Sequence, residues 1–303
     1  MLIRRPANIA GSEITPRPVF EARRRLVGSA VALGALAMRA AAAAGPAAHA
    51  EDERPTALAD FTAYNNYAEF SSDKKAVRVL AQALTLEPWT VTVDGEVENP
   101  FTVDMAGLKR LFGEEERIYR LRCVEGWSAV VPWNGFALSR LIGHARPTSR
   151  ARHVEFTSLK RGAEMIGQRL PGGLDWPYRE ALRIDEATHP LAFAVTGHYG
   201  VALSRQCGAP LRVAVPWKYG FKSPKAIVRI RLTQERPATS WSTLAPSEYG
   251  FFGNVDPEVA HPRWSQARET RLGEMRKRPT LPFNGYADQV ARLYAGMDPQ
   301  QLR

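Results

Sequence analysis

Two cysteines, Cys123 and Cys207, are the side chains of this 303-residue sequence with the widest chemical repertoire. Two thiols are too few for a disulfide-rich scaffold or a four-thiolate zinc site. Cys123 closes an alternating, strand-like segment and precedes Val-Glu-Gly-Trp-Ser, so its thiol could lie at the mouth of a pocket. A second interpretation is a buried thiol that packs like a small hydrophobe. In an oxidising compartment, composition favours a third, a Cys123–Cys207 disulfide.

The histidines give no metal-binding signal. Those beyond residue 50 show no His-x-x-x-His or similar spacing, which predicts structural or surface roles; they are His144, His153, His189, His198 and His261. His198 is predicted to lie in a Gly-His-Tyr-Gly turn.

The segments that must position these residues mix short helical and strand-like patterns. Helices are predicted over 74–84, around 105–112 and around 138–142. Thr102 or Asp104 would cap the helix around 105–112, and Gly113 would end it. Gly143 would end the helix around 138–142. Strands are predicted at 89–93, 117–123, 153–156, 191–195, 211–215 and 226–232. They do not alternate regularly with helices, which disfavours a doubly wound parallel sheet. We expect one mixed α+β, strand-rich domain over residues 51–303, with the last seventy residues wrapped around its core.

The first fifty residues have the layout of an export signal. Arg23-Arg24-Arg25 precedes a thirteen-residue uncharged run from Leu26 to Met38, and Ala48-His49-Ala50 resembles a cleavage site. The run is shorter than the roughly 20 residues that span a bilayer, and Arg39 follows it. The arginines followed by Leu26 predict a twin-arginine (Tat) signal over residues 1–50, hence export of the folded protein to the periplasm. An uncleaved membrane anchor is the alternative.

The net charge of +10 does not indicate a nucleic-acid partner. Residues 1–50 hold seven arginines and two glutamates, so half of that charge belongs to the predicted signal. The remaining basic residues are scattered, which is typical of a solvated surface rather than a phosphate-binding stripe.

Several blocks together resemble one family. Tyr64-Asn65-Asn66-Tyr67 and Cys123-Val-Glu-x-Trp127-Ser128 are the most informative. Other blocks lie at 116–122, 131–133, 182–190, 208–212, 215–222, 248–251, 261–266 and 284–289. In this order they resemble the catalytic subunits of bacterial protein-methionine-sulfoxide reductase systems, the MsrP (YedY) family. The resemblance implies the sulfite-oxidase fold and one Mo-molybdopterin per chain.

The same resemblance implies that Cys123 is the molybdenum ligand. A thiolate is a soft ligand that suits a redox metal already held by the dithiolene sulfurs of a pterin. A Cys123–Cys207 disulfide would remove this ligand, so the resemblance reverses the interpretation that composition favours.

The resemblance also implies a set of cofactor contacts. Arg212 could bind the pterin phosphate through two nitrogens, and Lys225 could add a point charge. The full set is Asn65, Ala68, Glu69, Cys123, Ser158, Cys207, Arg212, Ser223, Pro224 and Lys225. Two members depart from the family pattern: Ser158 stands where Thr is usual and keeps the hydroxyl, and Cys207 stands where Asn is usual. A thiol cannot replace both the donor and the acceptor of an amide.

Asn66 and Glu125 are implied to face the open side of the metal, where a carboxylate could orient water or relay protons. For Glu125 the alternative is a buried ion pair with Arg120 or Arg122. Tryptophans could line a pocket for a methionine sulfoxide side chain, although aromatic core is their commoner role; the candidates are Trp127, Trp133, Trp176, Trp217 and Trp264.

By resemblance the protein reduces methionine sulfoxide in periplasmic proteins. The sequence has no haem-attachment motif and no iron–sulfur cysteine set, so the resemblance implies a haem-containing inner-membrane partner (MsrQ-like) that delivers electrons from the quinone pool. Two alternatives stay open. One is an enzyme of the same fold that acts on a small sulfoxide or oxyanion; the other is a disulfide-stapled periplasmic binding domain.

Overall fold

The computed structural model describes residues 53–298 and 301–302. The predicted export signal lies outside them. Within these residues no helix has the length and apolar character needed to cross a membrane.

Twelve strands and several short helices make up the described part of the chain. The strands are β1 (Thr90–Gly95), β2 (Phe101–Asp104), β3 (Glu115–Arg122), β4 (Trp127–Ala137), β5 (His153–Ser158), β6 (Arg179–Arg183), β7 (Phe193–His198), β8 (Val201–Ala202), β9 (Arg212–Ala214), β10 (Ile227–Thr233), β11 (Arg268–Arg271) and β12 (Lys277–Pro279). The helices are α1 (Leu58–Ala63), α2 (Val77–Leu80), α3 (Met105–Phe112), α4 (Leu138–Ala145), α5 (Ile184–Ala187), α6 (Ser240–Leu244) and α7 (Ala287–Val290). Single 3-10 turns lie at Ala81–Ala83, Ile166–Arg169, Arg205–Cys207, Gly220–Lys222, Pro282–Gly285 and Ala291–Tyr294.

A five-stranded sheet has the order β2-β1-β10-β5-β6. Only the β1–β10 pair is parallel. The alternation in the sequence at 89–93 has the expected cause, because Val91 and Val93 point into the core while Thr90 is exposed. The predicted strands at 153–156 and 226–232 are confirmed as β5 and β10.

The larger sheet has the order β12-β11-β4-β7-β8, with β3 paired to β4 and β9 paired to β7. Its longest strand, β4, was not predicted from the sequence. Most of β4 is buried without alternation, and Pro132 lies inside it. On the edge that faces β11 and β7, the β11 pairing ends at Ser128 and the β7 pairing starts at Trp133. Pro132 lies between these two partners, where a missing N–H costs least.

Several predicted boundaries need correction. The helix predicted over 74–84 is only α2 followed by a 3-10 turn, and Val79 is exposed. Helix α4 continues past Gly143 and ends at Ala145, where Arg146 takes a left-handed conformation. His198 is the buried end of β7 rather than part of the turn that follows it. Strands β2, β6, β8, β11 and β12 were also missed.

The final seventy residues do more than wrap the core. Strands β11 and β12 extend the larger sheet. Further on, the Tyr294 hydroxyl donates to Glu186 at 2.6 Å and accepts from Trp217 Nε1 at 2.8 Å. Glu186 also binds the buried Lys218 ammonium at 2.6 Å. This network holds the C-terminal part of the chain against the segment that leads into Ser223.

The N-terminus of α3 gives a direct test of the fold. The Asp104 carboxylate accepts from the Gly107 N–H at 2.6 Å, whereas Thr102 lies in β2 and its hydroxyl pairs with that of Thr92 at 3.1 Å. Asp104 is therefore the cap. We expect Asp104→Ala to lower the free energy of unfolding by about 1 kcal/mol in urea titrations, because the helix loses its N-cap acceptor. Thr102→Ala is the matched control and should cost less than about 0.5 kcal/mol; equal losses would contradict the cap.

Candidate functional site

One cavity of about 240 Å³ brings most of the predicted site residues together. The chain enters it after α1, at the end of β3, at the start of β9 and in the segment before β10. Ten of the twelve predicted residues line it: Asn65, Asn66, Ala68, Glu69, Cys123, Glu125, Arg212, Ser223, Pro224 and Lys225. Ser158 and Cys207 lie outside the lining.

Cys123 follows β3 directly, so the end of a strand aims its thiol into the cavity. The side chain is 7% exposed, and both cysteines are free, which contradicts the disulfide. Sγ accepts from Asn66 Nδ2 at 3.1 Å and from the Glu125 N–H at 3.4 Å. Burial raises the pKa of the thiol to about 12, with Glu125 adding to the rise. Metal binding would therefore have to displace a proton.

Asn66 and Glu125 lie side by side next to the thiol. Asn66 Nδ2 donates to Glu125 Oε2 at 3.0 Å, and Lys74 Nζ lies 3.2 Å from Glu125 Oε1. Glu125 is partly exposed, so the alternative of a buried ion pair with Arg120 or Arg122 is wrong. The carboxylate stands at the solvent side of the thiol.

The two arginines of that alternative have other carboxylate partners. Arg120 binds Glu53 at 2.7 Å, and Arg122 Nε lies 3.0 Å from Glu269. Both pairs hold β3, the strand that presents Cys123, in place.

Arg212 and Lys225 make one end of the cavity positively charged. Arg212 is buried, donates to the Cys207 carbonyl at 2.9 Å and lies 4.9 Å from the Trp133 ring centroid. Lys225 Nζ donates to the Asn66 carbonyl at 2.7 Å and lies 4.9 Å from the Tyr67 ring. Among the described residues, no carboxylate forms a salt bridge with either cation.

The pKa values of this end reflect the burial of like charges. Burial lowers the pKa of Arg212 to about 10. It also lowers the pKa of Lys225 to about 8, and the Arg212 charge acts in the same direction. Glu69 attracts Lys225, yet burial raises the pKa of Glu69 itself to about 7. One partly protonated carboxyl cannot neutralise two cations, so this end favours an anionic ligand.

Cys207 and Ser158 lie just behind the lining. The Cys207 thiol donates to Asn65 Oδ1 at 3.6 Å, while its carbonyl accepts from Arg212. Cys207 thus orients two lining residues without facing the cavity itself. The Ser158 hydroxyl is buried at the end of β5 and has no hydrogen-bond partner in the described structure.

These residues fit the cofactor that the sequence implies. The unpaired guanidinium and ammonium suit a phosphate, and the orphaned Ser158 hydroxyl offers a donor and an acceptor to a polar rim. Cys123 supplies one soft ligand beside them. Within the described ranges no three His, Cys, Asp or Glu side chains gather into a metal site.

Aromatic residues that the sequence did not single out line the other end. Trp241, Tyr249 and Phe221 face the cavity. Of the five tryptophans considered, only Trp127 lines it, because Trp133 and Trp217 belong to the core. Trp264 instead stacks on His261 at 3.9 Å and donates to the Val124 carbonyl. Trp241 lies in a region of little periodicity, so no sequence pattern pointed to it.

Comparisons with known proteins point to one family. A family model described as the oxidoreductase molybdopterin binding domain matches residues 78–241. The protein-methionine-sulfoxide reductase catalytic subunit MsrP of Burkholderia mallei is 50% identical over 96% of this chain and 94% of its own length. The MsrP of Xanthomonas axonopodis pv. citri is 48% identical over 98% of both chains.

A solved structure, the sulfane dehydrogenase SoxCD from Paracoccus pantotrophus, covers 50% of this chain and 40% of its own at 15% identity and a TM-score of 0.42. A likeness at that level carries no weight for function. The family model confirms the predicted molybdopterin-binding domain, and the two mixed sheets confirm the α+β class.

Arg212 gives a test of the charged end. We expect Arg212→Leu to lower the molybdenum and pterin content of purified protein at least about tenfold, because a charge-assisted hydrogen bond contributes roughly 1.5–3 kcal/mol. The cofactor-free variant should unfold at the same or a higher temperature than cofactor-free wild type, since an unpaired buried charge is costly. Arg140→Leu, at an exposed arginine of α4, is the control and should change neither. Normal cofactor content in Arg212→Leu would contradict the phosphate assignment.

Proposed function

Because the chain belongs to the MsrP family of protein-methionine-sulfoxide reductase catalytic subunits, we propose that it repairs oxidised periplasmic proteins with electrons that a haem-containing inner-membrane subunit draws from the quinone pool. Family membership makes it a molybdenum-dependent oxidoreductase of methionine sulfoxide with a Mo-molybdopterin cofactor. Beyond family membership, we propose three things: the periplasmic substrates, the electron donor and the export route.

The observation that carries the proposal is the group formed by Cys123, Asn66 and Glu125 between the two ends of the cavity. The thiol packs in one apolar cluster with the aromatic residues, and the positively charged Lys225 lines the same cavity. Asn66 joins the two ends, because its side chain contacts Cys123 and Glu125 while its carbonyl accepts from Lys225.

The reaction adds two electrons and two protons to a sulfoxide, breaks the S–O bond and releases a thioether and water. When bound, Mo-molybdopterin supplies the two-electron chemistry. Cys123 would ligate the metal. Glu125 can hold a proton near the sulfoxide oxygen, and the two N–H groups of the Asn66 amide hold that carboxylate beside the Cys123 thiol. Lys74 keeps the Glu125 carboxylate at the mouth of the cavity, where water can exchange protons with it.

The structure does not favour the alternatives. A site for a small oxyanion should converge several arginines on the open side of the metal, yet Arg212 is the single arginine among the described lining residues. Arg212 belongs to the positively charged end of the cavity, which we assign to the cofactor phosphate. A disulfide-stapled binding domain is contradicted by the two free cysteines.

The export route rests on the sequence of residues 23–50. A Tat signal suits a protein whose cofactor site is completed by distant segments, because such a site exists only after folding. We expect replacement of Arg23, Arg24 and Arg25 by lysine to leave molybdenum-loaded precursor in the cytoplasm and to reduce the periplasmic protein to background, measured by cell fractionation and immunoblotting. Unchanged periplasmic yield would contradict the Tat assignment; replacement of Arg39, beyond the apolar run, is the control.

The enzymatic proposal is tested with a purified oxidised protein as substrate and a reduced viologen dye as donor. Wild type should oxidise the dye only when the substrate contains methionine sulfoxide. We expect Cys123→Ser to stay folded, with unchanged circular dichroism, and to lose at least about 10³-fold in turnover, since the soft ligand of the redox metal is gone. Near-normal turnover in this variant would rule out Cys123 as the ligand. Ser128→Ala controls for a small polar change nearby; its hydroxyl contacts Glu269 and Arg271 rather than the cavity.

A further inference from the structure

Four aromatic side chains form a continuous wall on one side of the cavity: Trp127, Phe221, Trp241 and Tyr249. We call them the aromatic wall. The Trp241 and Tyr249 rings lie 4.8 Å apart, and Phe221 meets Tyr249 edge to face at 5.3 Å. The wall packs in one apolar cluster with Cys123 and Val124, separate from the main core. An aromatic surface therefore borders the thiol directly.

The two central wall residues are held firmly. Trp241 is carried by α6, whose first residue, Ser240, accepts from the Arg179 N–H at 2.8 Å and so ties the helix to β6. The Tyr249 N–H donates to the Ala245 carbonyl at 3.0 Å. These contacts fix the backbone that carries the two rings. A fixed backbone suits a binding surface, because less conformational entropy remains to be lost when a ligand binds.

The solvent exposure of the apolar side chains increases from Tyr249 to Trp241 and Leu244. Tyr249 is buried beside Cys123, Trp241 is partly exposed, and Leu244, one helical turn further along α6, is 47% exposed. The apolar cluster that contains the thiol thus reaches solvent at the partly exposed Trp241. A ligand that was only a small oxyanion would have no use for such a path, whereas a side chain on a polypeptide would.

Methionine sulfoxide matches this surface in its chemistry. Its methyl and methylene groups are apolar, its sulfur carries partial positive charge, and its oxygen is a strong acceptor. Electron-rich ring faces attract such a sulfur, and aromatic rings bury the carbons. Glu125, which the Asn66 amide holds next to Cys123, provides an O–H donor for the oxygen when it is protonated.

We propose that Trp241 and Tyr249 form the binding subsite for the methyl and methylene groups of a methionine sulfoxide residue, and that α6 continues this subsite to the flanking polypeptide. The inference rests on the proposed function and adds to it the residues that select a thioether-type side chain on a protein over a small polar substrate. Neither residue belongs to the set of cofactor contacts that the family resemblance implies.

The subsite is tested by binding without turnover. Oxidised, molybdenum-loaded enzyme without reductant is titrated into a fluorescein-labelled peptide with one methionine sulfoxide, and anisotropy is recorded. We expect Trp241→Ala to weaken binding at least about tenfold, as truncation of a central aromatic contact does, and to raise KM for oxidised protein similarly with little change in kcat. Trp241→Phe should restore most of the affinity. Leu281→Ala, an exposed leucine outside the cavity, should behave as wild type.

The outcomes separate this inference from the proposed function. If wild type reduces oxidised protein and Trp241→Ala binds the peptide as tightly as wild type, the subsite is wrong while the function stands. If Trp241→Ala loses its molybdenum, or if Trp241→Phe fails to restore binding despite normal molybdenum content, the residue serves the cofactor or the fold and the subsite is again wrong. If wild type reduces no oxidised protein, the proposed function itself fails.

Discussion

Two positive charges, the buried Arg212 and the partly buried Lys225, have no salt-bridge partner in the described part of the chain, and the site depends on this constraint. Removing Arg212 and Lys225 from water costs free energy that ordinary packing does not return. The protein reduces that cost with carbonyls and ring faces: Cys207 and Trp133 for the guanidinium, Asn66 and Tyr67 for the ammonium. These contacts lower the free-energy cost of burial but leave the positive charges in place. An anionic cofactor would therefore both complete the site and stabilise the fold.

The segment that contains Asn65 and Asn66 connects these positive charges to the candidate catalytic thiol. Asn66 binds Lys225 through its carbonyl and Cys123 through its amide. A cofactor phosphate bound to Lys225 would therefore also affect Asn66, the residue that contacts the thiol. The segment is fastened on both sides, since the Asn65 N–H donates to the Lys74 carbonyl and Gly167 packs directly on the backbone of Ala68. A side chain at Gly167 would collide with that backbone, which explains glycine there.

The two departures from the family pattern have different consequences. Ser158 keeps a buried hydroxyl without a partner, which is the function that a threonine would provide. Cys207 gives up the amide of the usual asparagine, yet its carbonyl still accepts from Arg212 and its thiol reaches Asn65. The contact with Arg212 is made by the backbone carbonyl of residue 207, so it does not depend on the side chain at that position.

The sequence by itself determined the α+β class, the family and ten residues that line one cavity, Cys123 among them, because each is written in local alternation or in contiguous blocks. Strand β4 escaped notice, since burial on both faces removes alternation and Pro132 mimics a break. Only the tertiary structure decided that Glu125 pairs with Lys74 rather than an arginine, that Cys207 stands behind the cavity, and that Trp241 and Tyr249 border Cys123. These facts depend on contacts between segments more than about fifty residues apart or on side-chain direction, and neither leaves a periodic trace in the chain.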